Sequence, residues 1–223
     1  MSWTDRLPLL ADVDVLVAGA GSAGAPAAIA AGRAGADVLL VEKLPFLGGV
    51  STAVLDTFYG FYTPGSRPLK VVGGVADDVV AELRTLGRVL ERPNTYGAGT
   101  GVTYLAEHLK VAWERLVVRA GARVLLHAFV QDAVVRDRTV EQVVVATKAG
   151  LGRIRARVVV DATGDADVAA FAGLGFELAG EQEPAQTLTT TFRVANVDRE
   201  RRRTLARDEL HRRMADAAAD GYD

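Results

Sequence analysis

The sequence predicts an α/β fold with a parallel sheet, and three observations support this prediction. Residues 12–43 read as a short apolar strand, a glycine turn, a small-residue helix and a second apolar strand. Val158 to Val160 is another apolar run, followed by a turn and the start of a helix. Three β-rich runs, Val130 to Arg136, Val140 to Thr147 and Gly152 to Ala156, are separated by short turns, which indicates an antiparallel meander. Alternating strands and helices are typical of α/β domains, in which buried parallel strands are continuously apolar.

The glycine turn has the spacing of a dinucleotide site. Gly19, Gly21 and Gly24 follow the strand Val13 to Ala18 as G-x-G-x-x-G. The first glycine permits the tight turn, the second admits a pyrophosphate, and the third lets the helix pack against the strand. The helix then begins with unpaired N–H groups that favour an anion. Glu42 ends the second strand, where an acid can accept hydrogen bonds from ribose hydroxyls. This context favours a dinucleotide site over a purely structural turn.

The second apolar strand is followed by a glycine pair and then by an aromatic segment. Gly48 and Gly49 would suit an ordinary loop, but their distance from the dinucleotide motif favours contact with a second part of a long cofactor. In the segment Ala53 to Pro64, we expect Tyr59 and Tyr62 to pack in the core or an interface. A place in a substrate pocket is the alternative for these tyrosines.

Two helices are predicted in the middle of the chain. An amphipathic pattern covers residues 75–88, and a second helix runs from about Tyr104 to Arg119. His108 on that helix is expected to be packed or on the surface rather than a base, because no partner is identifiable. The run at residues 124–130 is predicted to be a strand of the parallel sheet with His127 inside it.

The turn at residues 161–165 follows an apolar strand, and ligands of open α/β sheets bind at such carboxyl ends. Asp165 and Asp167 could be read as a metal pair. We favour the reading in which Asp165 caps the next helix and Asp167 complements its dipole, so no metal site is expected.

The composition changes near Thr187, where β-branched residues predict a strand that leaves the first domain. One charged helix is predicted from Asp198 to Ala219. We therefore expect a first domain at residues 1–186 and the beginning of a second, substrate domain at residues 187–223.

The overall composition excludes several classes of function. The chain has 223 residues, 49% hydrophobic residues, a net charge of −2 and no cysteine. Disulfides, thiolate metal sites and cysteine nucleophiles are therefore excluded, and the balanced charge gives no indication of a nucleic-acid partner. Neither a signal peptide nor an apolar run long enough for a membrane span is visible, so a cytoplasmic location is expected.

Four features occur together: the glycine motif with Glu42, the pair Gly48 and Gly49, the meander, and the D-A-T-G-D-A-D sequence at residues 161–167. Together they resemble the FAD-dependent oxidoreductases related to the fumarate reductase and succinate dehydrogenase flavoprotein group. The resemblance covers residues 12–197 and implies a Rossmann-like FAD-binding domain with FAD as its cofactor.

The resemblance also implies which residues surround FAD. The pyrophosphate would lie among Gly19, Gly21, Ser22, Ala23 and Gly24, the adenosine ribose would lie at Glu42 and Lys43, and the chain toward the flavin would pass Gly48, Gly49, Ser51 and Thr52. Val130 would meet the adenine through its backbone, and a second wall would consist of Ala162, Thr163, Gly164 and Asp165.

This sequence departs from the family in one respect, since it lacks the second glycine-acid motif that members carry near the C-terminus. We therefore expect an incomplete active site, completed in a longer chain or by a second polypeptide. No catalytic residue is assigned, and Tyr59, Tyr62 and His108 are candidates only by their chemistry.

The predicted function is the FAD-binding part of an oxidoreductase that transfers hydride from a small organic substrate to the flavin. One alternative is a non-catalytic truncated or split subunit that binds a nucleotide or a partner chain. Another alternative is an NAD-dependent dehydrogenase, which the meander and the glycine pair disfavour.

Overall fold

The computed structural model describes residues 3–54, 58–64, 67–93, 100–192 and 194–221. They form two compact units, Met1–Thr189 and Thr190–Asp223. The strands are β1 (Leu9–Ala18), β2 (Val38–Val41), β3 (Phe58–Gly60), β4 (Leu90–Pro93), β5 (Thr100–Thr103), β6 (Arg123–Leu125), β7 (Phe129–Arg136), β8 (Thr139–Thr147) and β9 (Gly150–Asp161). The helices are α1 (Gly24–Arg33), α2 (Val50–Ala53), α3 (Val75–Leu86), α4 (Ala106–Arg119), α5 (Asp167–Phe171), α6 (Arg199–Thr204) and α7 (Arg207–Ala219), and a 3-10 helix covers Trp3–Arg6.

The first unit is organised around a six-stranded sheet with the order β6-β2-β1-β9-β8-β7. The pairs β6–β2, β2–β1 and β1–β9 are parallel, whereas β9–β8 and β8–β7 are antiparallel. Leu16, Leu40 and Ile154 are fully buried in this sheet. The predicted α/β class, with a parallel sheet and an antiparallel meander, is confirmed.

The carboxyl ends of the central strands lie side by side. Ala18 is in register with Val41 of β2 on one side and with Asp161 of β9 on the other. The segments that follow these three strands are the glycine turn, Glu42 and the turn at residues 161–165. The register therefore brings three separate stretches of sequence to one edge of the sheet.

The runs Gly152 to Ala156 and Val158 to Val160 are one strand, β9, and not two strands as predicted. The strand pairs with β8 from Gly150 to Arg155 and with β1 from Arg153 to Asp161. The one residue between the two runs is Arg157, which is neither glycine nor proline, so nothing breaks the strand. Val158 is 54% exposed, so the run is not buried on both faces.

The prediction of one parallel strand over residues 124–130 is also wrong. Strand β6 ends at Leu125, His127 has a positive φ of 53°, and β7 begins at Phe129 on the opposite edge of the sheet. A left-handed residue ends a strand because it reverses the local course of the chain. The Ala128 N–H donates to the Glu42 carbonyl at 3.0 Å, which holds this crossing segment beside the end of β2.

Helices α1, α3 and α4 pack together, with Ile29, Leu83 and Leu109 buried between them. Glu82 on α3 is 8% exposed and accepts hydrogen bonds from Arg115 at 3.0 Å and Arg119 at 3.1 Å. The Arg115 guanidinium, assisted by Arg119, holds the pKa of Glu82 below its usual range. The two predicted helices are present, with boundaries shifted by a few residues.

A second, antiparallel sheet has the order β3-β5-β4. The sequence did not predict it, because its strands are only three or four residues long and lack a clear alternation of apolar residues. The Tyr59 ring stacks on Phe61 at 5.4 Å and contacts Tyr104 at 4.9 Å between ring centroids. The predicted packing role of Tyr59 is confirmed.

The second unit contains α6 and α7 where the sequence predicted one helix. The break lies at Leu205 and Ala206, which have extended backbones with ψ of 116° and 152°. Asp198 begins α6 by accepting a hydrogen bond from the Arg201 N–H at 3.0 Å. The strand predicted from Thr187 is absent from described residues 187–192 and 194–197, since a strand needs a pairing partner. The predicted boundary between residues 186 and 187 stays a prediction.

Helices long and apolar enough to span a bilayer do not occur in the part of the chain that the structure describes.

Candidate cofactor site

A cavity of about 580 Å³ lies at the aligned carboxyl ends of β2, β1 and β9. Its lining residues are Gly19, Gly21, Ser22, Ala23, Val41, Glu42, Lys43, Leu44, Gly49, Val50, Ala53, Val54, Ala128, Phe129, Val130, Ala162, Thr163, Gly164, Asp165 and Asp167. The cavity is therefore built by the segments on which the sequence motifs lie.

The glycines of the turn are required by close backbone contacts. Gly19 has a φ of 97°, and a Cβ there would lie 2.3 Å from the Ala162 carbonyl oxygen. A Cβ on Gly24 would lie 1.8 Å from the Gly19 carbonyl oxygen. Only glycine fits at either position, so the first and third glycines let α1 and β9 close on the turn.

Gly21 has a different role, because its missing side chain leaves space. A Cβ there would meet only the Gly49 Cα, at 4.0 Å, and both glycines line the cavity. Gly49 has a φ of 56°, and a Cβ on it would lie 2.9 Å from the Gly21 Cα. Two bare backbone segments therefore face each other, which suits a pyrophosphate that must approach the main chain closely.

The loop of the glycine pair is docked on the turn by hydrogen bonds. The Gly48 N–H donates to the Ala20 carbonyl at 2.8 Å. The Thr52 hydroxyl donates to the Leu47 carbonyl at 2.9 Å, and Thr52 is 4% exposed. The buried Thr52 side chain thus stabilises the conformation of this loop.

Glu42 holds the glycine turn in addition to facing the cavity. It is 5% exposed, and its Oε2 accepts a hydrogen bond from the Ala20 N–H at 2.8 Å. Its Oε1 accepts from the Leu44 N–H at 2.9 Å. Each carboxylate oxygen has a second lone pair, so Glu42 can still accept from a ribose hydroxyl.

The N-terminus of α1 is open to an anion. Its cap residue, Ala23, provides no side-chain cap, and the first turn carries no acid. The positive end of the helix dipole therefore faces the cavity without a competing carboxylate. Within the first turn the Ala25 N–H donates to the Gly21 carbonyl at 3.1 Å and Pro26 has no N–H, so the dipole acts together with the backbone of the preceding turn. Ser22 lines the cavity there and lies 3.3 Å from the Ser51 hydroxyl, oxygen to oxygen.

The turn after β9 is held by Asp161 rather than by Asp165. Asp161 accepts from the Thr163 hydroxyl at 2.8 Å and from the Ala169 N–H at 2.9 Å. The predicted capping role of Asp165 is wrong, since the cap of α5 is Ala166, which is left-handed and lacks a side-chain cap. Asp161, the last residue of β9, takes this role because its carboxylate reaches the Ala169 N–H of α5. Asp167 does lie in the first turn of α5, as predicted.

The other end of the cavity is lined by Lys43, Phe129 and Val130. The Lys43 ammonium lies 5.6 Å from the centroid of the Phe129 ring, within the range of a cation–π contact. Val130 is 7% exposed, while Phe129 is 48% exposed. No group of three or more acidic or histidine side chains suited to a metal occurs among the described residues.

Most residues predicted to bind the cofactor line this one cavity. Gly24, Gly48, Ser51 and Thr52 do not line it and instead support its walls. Sequence reasoning missed a set of mostly apolar lining residues, namely Val41, Leu44, Val50, Ala53, Val54, Ala128, Phe129 and Asp167. Their only sequence signal is that they neighbour the motifs.

The three catalytic candidates do not line the cofactor cavity. Tyr59 lines a second, apolar cavity of about 610 Å³ that shares Ser22 with the first. The ring of His108 packs against Gly87, where a Cβ would lie 2.5 Å from it. Tyr62 forms an isolated bridge with Lys70. None of the three is therefore placed to act on a group bound in the first cavity.

Comparison with known proteins agrees with this geometry. The family described as FAD dependent oxidoreductase matches residues 14–223. A probable fumarate reductase of Shewanella frigidimarina (strain NCIMB 400) is 65% identical over 37 residues, which are 17% of this chain and 6% of that protein. This chain therefore matches only a small part of that relative.

Solved structures share the fold at low identity. THI4 of Thermovibrio ammonificans is 21% identical with a TM-score of 0.50, over 72% of this chain and 61% of that one. A geranylgeranyl bacteriochlorophyll reductase-like protein of Thermoplasma acidophilum is 18% identical with a TM-score of 0.50, over 73% of this chain and 42% of that one. This likeness bears on the fold alone.

Proposed function

Because this chain belongs to the FAD-dependent oxidoreductase family, we propose that it is the FAD-binding part of an enzyme that transfers hydride from a small organic substrate to the flavin. FAD is the cofactor of this family. The observation that supports the proposal best is the cavity at three aligned strand ends, with two bare glycine backbones facing each other at Gly21 and Gly49.

The residues present fit such a cofactor. The facing glycines and the uncapped start of α1 would hold the pyrophosphate, because backbone N–H groups and the helix dipole favour an anion. Glu42 would accept from the adenosine ribose, and Val130 would meet the adenine. The turn at Ala162, Thr163, Gly164 and Asp165 would form a second wall of the site. When bound, the flavin supplies the two-electron redox chemistry.

The substrate is part of the proposal. The similarity to a probable fumarate reductase over 37 residues is consistent with a small organic substrate. The lining of the described cavity includes no histidine or tyrosine, so its groups able to transfer a proton are carboxylates and Lys43. Asp165 and Asp167 are, with Glu42, the acids of its lining.

A second candidate function is a nucleotide-binding chain without turnover of its own, completed by other polypeptide. Large apolar side chains near the end of the first unit favour it, because Leu188 is 99% exposed, Phe176 66% and Leu174 63%. Exposed apolar side chains that form a contiguous patch usually mark a contact with other protein. A small organic substrate that bleaches the flavin of the purified chain would contradict this candidate.

The experiment that tests the cofactor is the visible absorption spectrum of the purified chain, before and after denaturation. We expect a flavin spectrum, with FAD as the nucleotide released on denaturation. A colourless protein that also fails to bind added FAD would contradict the proposed site.

A further inference from the structure

A buried group of polar side chains lies behind the proposed FAD cavity and is rich in hydrogen-bond donors. The Tyr59 hydroxyl and the Trp113 Nε1 are buried, and neither has a hydrogen-bond partner among the residues that the structure describes. The Tyr104 hydroxyl donates to the Ser51 carbonyl at 3.3 Å, and the Ser51 and Ser22 hydroxyl oxygens are 3.3 Å apart. Buried donors without partners are costly, so their presence calls for a function.

The group is centred on the Tyr59 hydroxyl. Burial raises the pKa of Tyr59, and Ser51, Trp113, Ser22 and Tyr104 offset only part of this effect. These four side chains are thus near enough to act on the hydroxyl, although none completes a hydrogen bond with it. The Tyr59 hydroxyl therefore keeps its proton at ordinary pH and remains able to donate.

The donors and acceptors of these side chains determine the direction in which a hydrogen-bond chain can run. An indole N–H can only donate, whereas a hydroxyl accepts and also donates one hydrogen bond. A chain that starts at Trp113 and passes through Tyr59 must therefore end on an acceptor. Ser22 lines the cofactor cavity, unlike Ser51, Tyr59, Tyr104 and Trp113, so the last donor of the chain can point there.

We propose that cofactor binding completes a hydrogen-bond chain from Trp113 through Tyr59 to Ser22, which ends on a phosphate oxygen of the cofactor. The proposal rests on the proposed FAD site. Ser22 contacts the phosphate, while Tyr59 and Trp113 are positioning residues that direct the Ser22 hydroxyl into the cavity. A phosphate is the acceptor that suits this end, since the uncapped start of α1 already favours an anion there.

The unmodified protein allows a direct test by NMR of its indole N–H groups. The sequence contains two tryptophans, and Trp3, which is 52% exposed, serves as an internal control for Trp113. We expect saturating ADP to shift the Trp113 indole signal, adenosine to leave it unchanged, and the Trp3 signal to stay in place. If the Trp113 signal does not shift when ADP binds, or shifts equally with adenosine, the proposed hydrogen-bond chain is wrong.

The variant Tyr59→Phe removes the central link and keeps the ring. A net hydrogen bond corresponds to a roughly two- to tenfold loss, so we expect this loss in ADP affinity and no change in adenosine affinity. Tyr62→Phe is the matched control and should bind both ligands as the wild type does. Equal losses for both ligands, or no loss for ADP, would contradict the positioning role. A wild-type chain that binds neither ADP nor FAD would instead refute the proposed FAD site itself.

Discussion

The substitution Gly21→Ala separates cofactor binding from folding at the glycine turn. The added methyl group would have the Gly49 Cα at 4.0 Å as its nearest neighbour, which is an ordinary contact distance. The free protein therefore has room for it, and we expect a change in the free energy of unfolding within about 0.5–1 kcal/mol. The same methyl group projects into the gap between two bare backbones, where the pyrophosphate is proposed to lie.

The loss of binding can be estimated from the hydrogen bonds that the displaced pyrophosphate would lose. A hydrogen bond to a charged group contributes about 1.5–3 kcal/mol, and every 1.4 kcal/mol is a factor of ten in affinity. Loss of one such bond would weaken FAD binding roughly 10- to 150-fold. Titration with FAD, followed by flavin fluorescence, measures the affinity, and thermal unfolding without FAD measures stability.

Two further glycines provide the comparison. Gly175→Ala places its methyl group where no atom lies within 4 Å, outside the cavity, and should change neither property. Gly24→Ala places its methyl group 1.8 Å from the Gly19 carbonyl oxygen and should lower stability by about 1–3 kcal/mol or more. If Gly21→Ala binds FAD like the wild type, the pyrophosphate does not approach Gly21. If it melts as Gly24→Ala does, the packing argument is wrong.

Three other predictions concern carboxylates. Glu42→Gln should lower both the melting temperature of the FAD-free protein and the affinity for FAD, because both carboxylate oxygens accept hydrogen bonds from backbone N–H groups. An unchanged melting temperature would show that Glu42 does not stabilise the glycine turn. The lowered pKa of folded Glu82 means that its charge stabilises the fold above the unfolded pKa of about 4.3, and that this stabilisation is lost as pH falls through the folded value. The difference in melting temperature between wild type and Glu82→Gln should therefore be large at pH 7 and should shrink in acid, whereas exposed Glu107→Gln should show little difference at any pH. Asp161→Asn should destabilise the turn by about 1–3 kcal/mol in urea unfolding, because an amide group then faces a backbone N–H, and a wild-type midpoint would contradict this.

The local sequence was enough to predict the parts of the fold whose signals are local. The G-x-G-x-x-G spacing, the apolar strands on either side and Glu42 predicted the first strand, the first helix and the second strand, because each depends on near neighbours. The three runs after residue 129 predicted the meander from their turns alone. The resemblance to FAD-dependent oxidoreductases likewise came from motifs that the sequence contains.

Features that depend on residues distant in the sequence could not be predicted from local motifs. The continuity of β9 is decided by its pairing with β1 on one side and β8 on the other, and His127 breaks a run that looks like a strand. The role of Asp161 depends on the position of Ala169 above it, not on the order of the nearby acids. The short sheet of β3, β5 and β4 has too few residues for a periodic signal.

The sequence by itself determined the class of fold, the cofactor and many of the residues that line the cavity, because each was encoded in a short motif. The tertiary structure alone decided how these motifs meet. Only the register of Ala18 with Val41 and Asp161 shows that three distant segments border one cavity. Only packing places Tyr59 and Trp113 behind Ser22, since buried donors find their neighbours through the folded chain and not along the sequence.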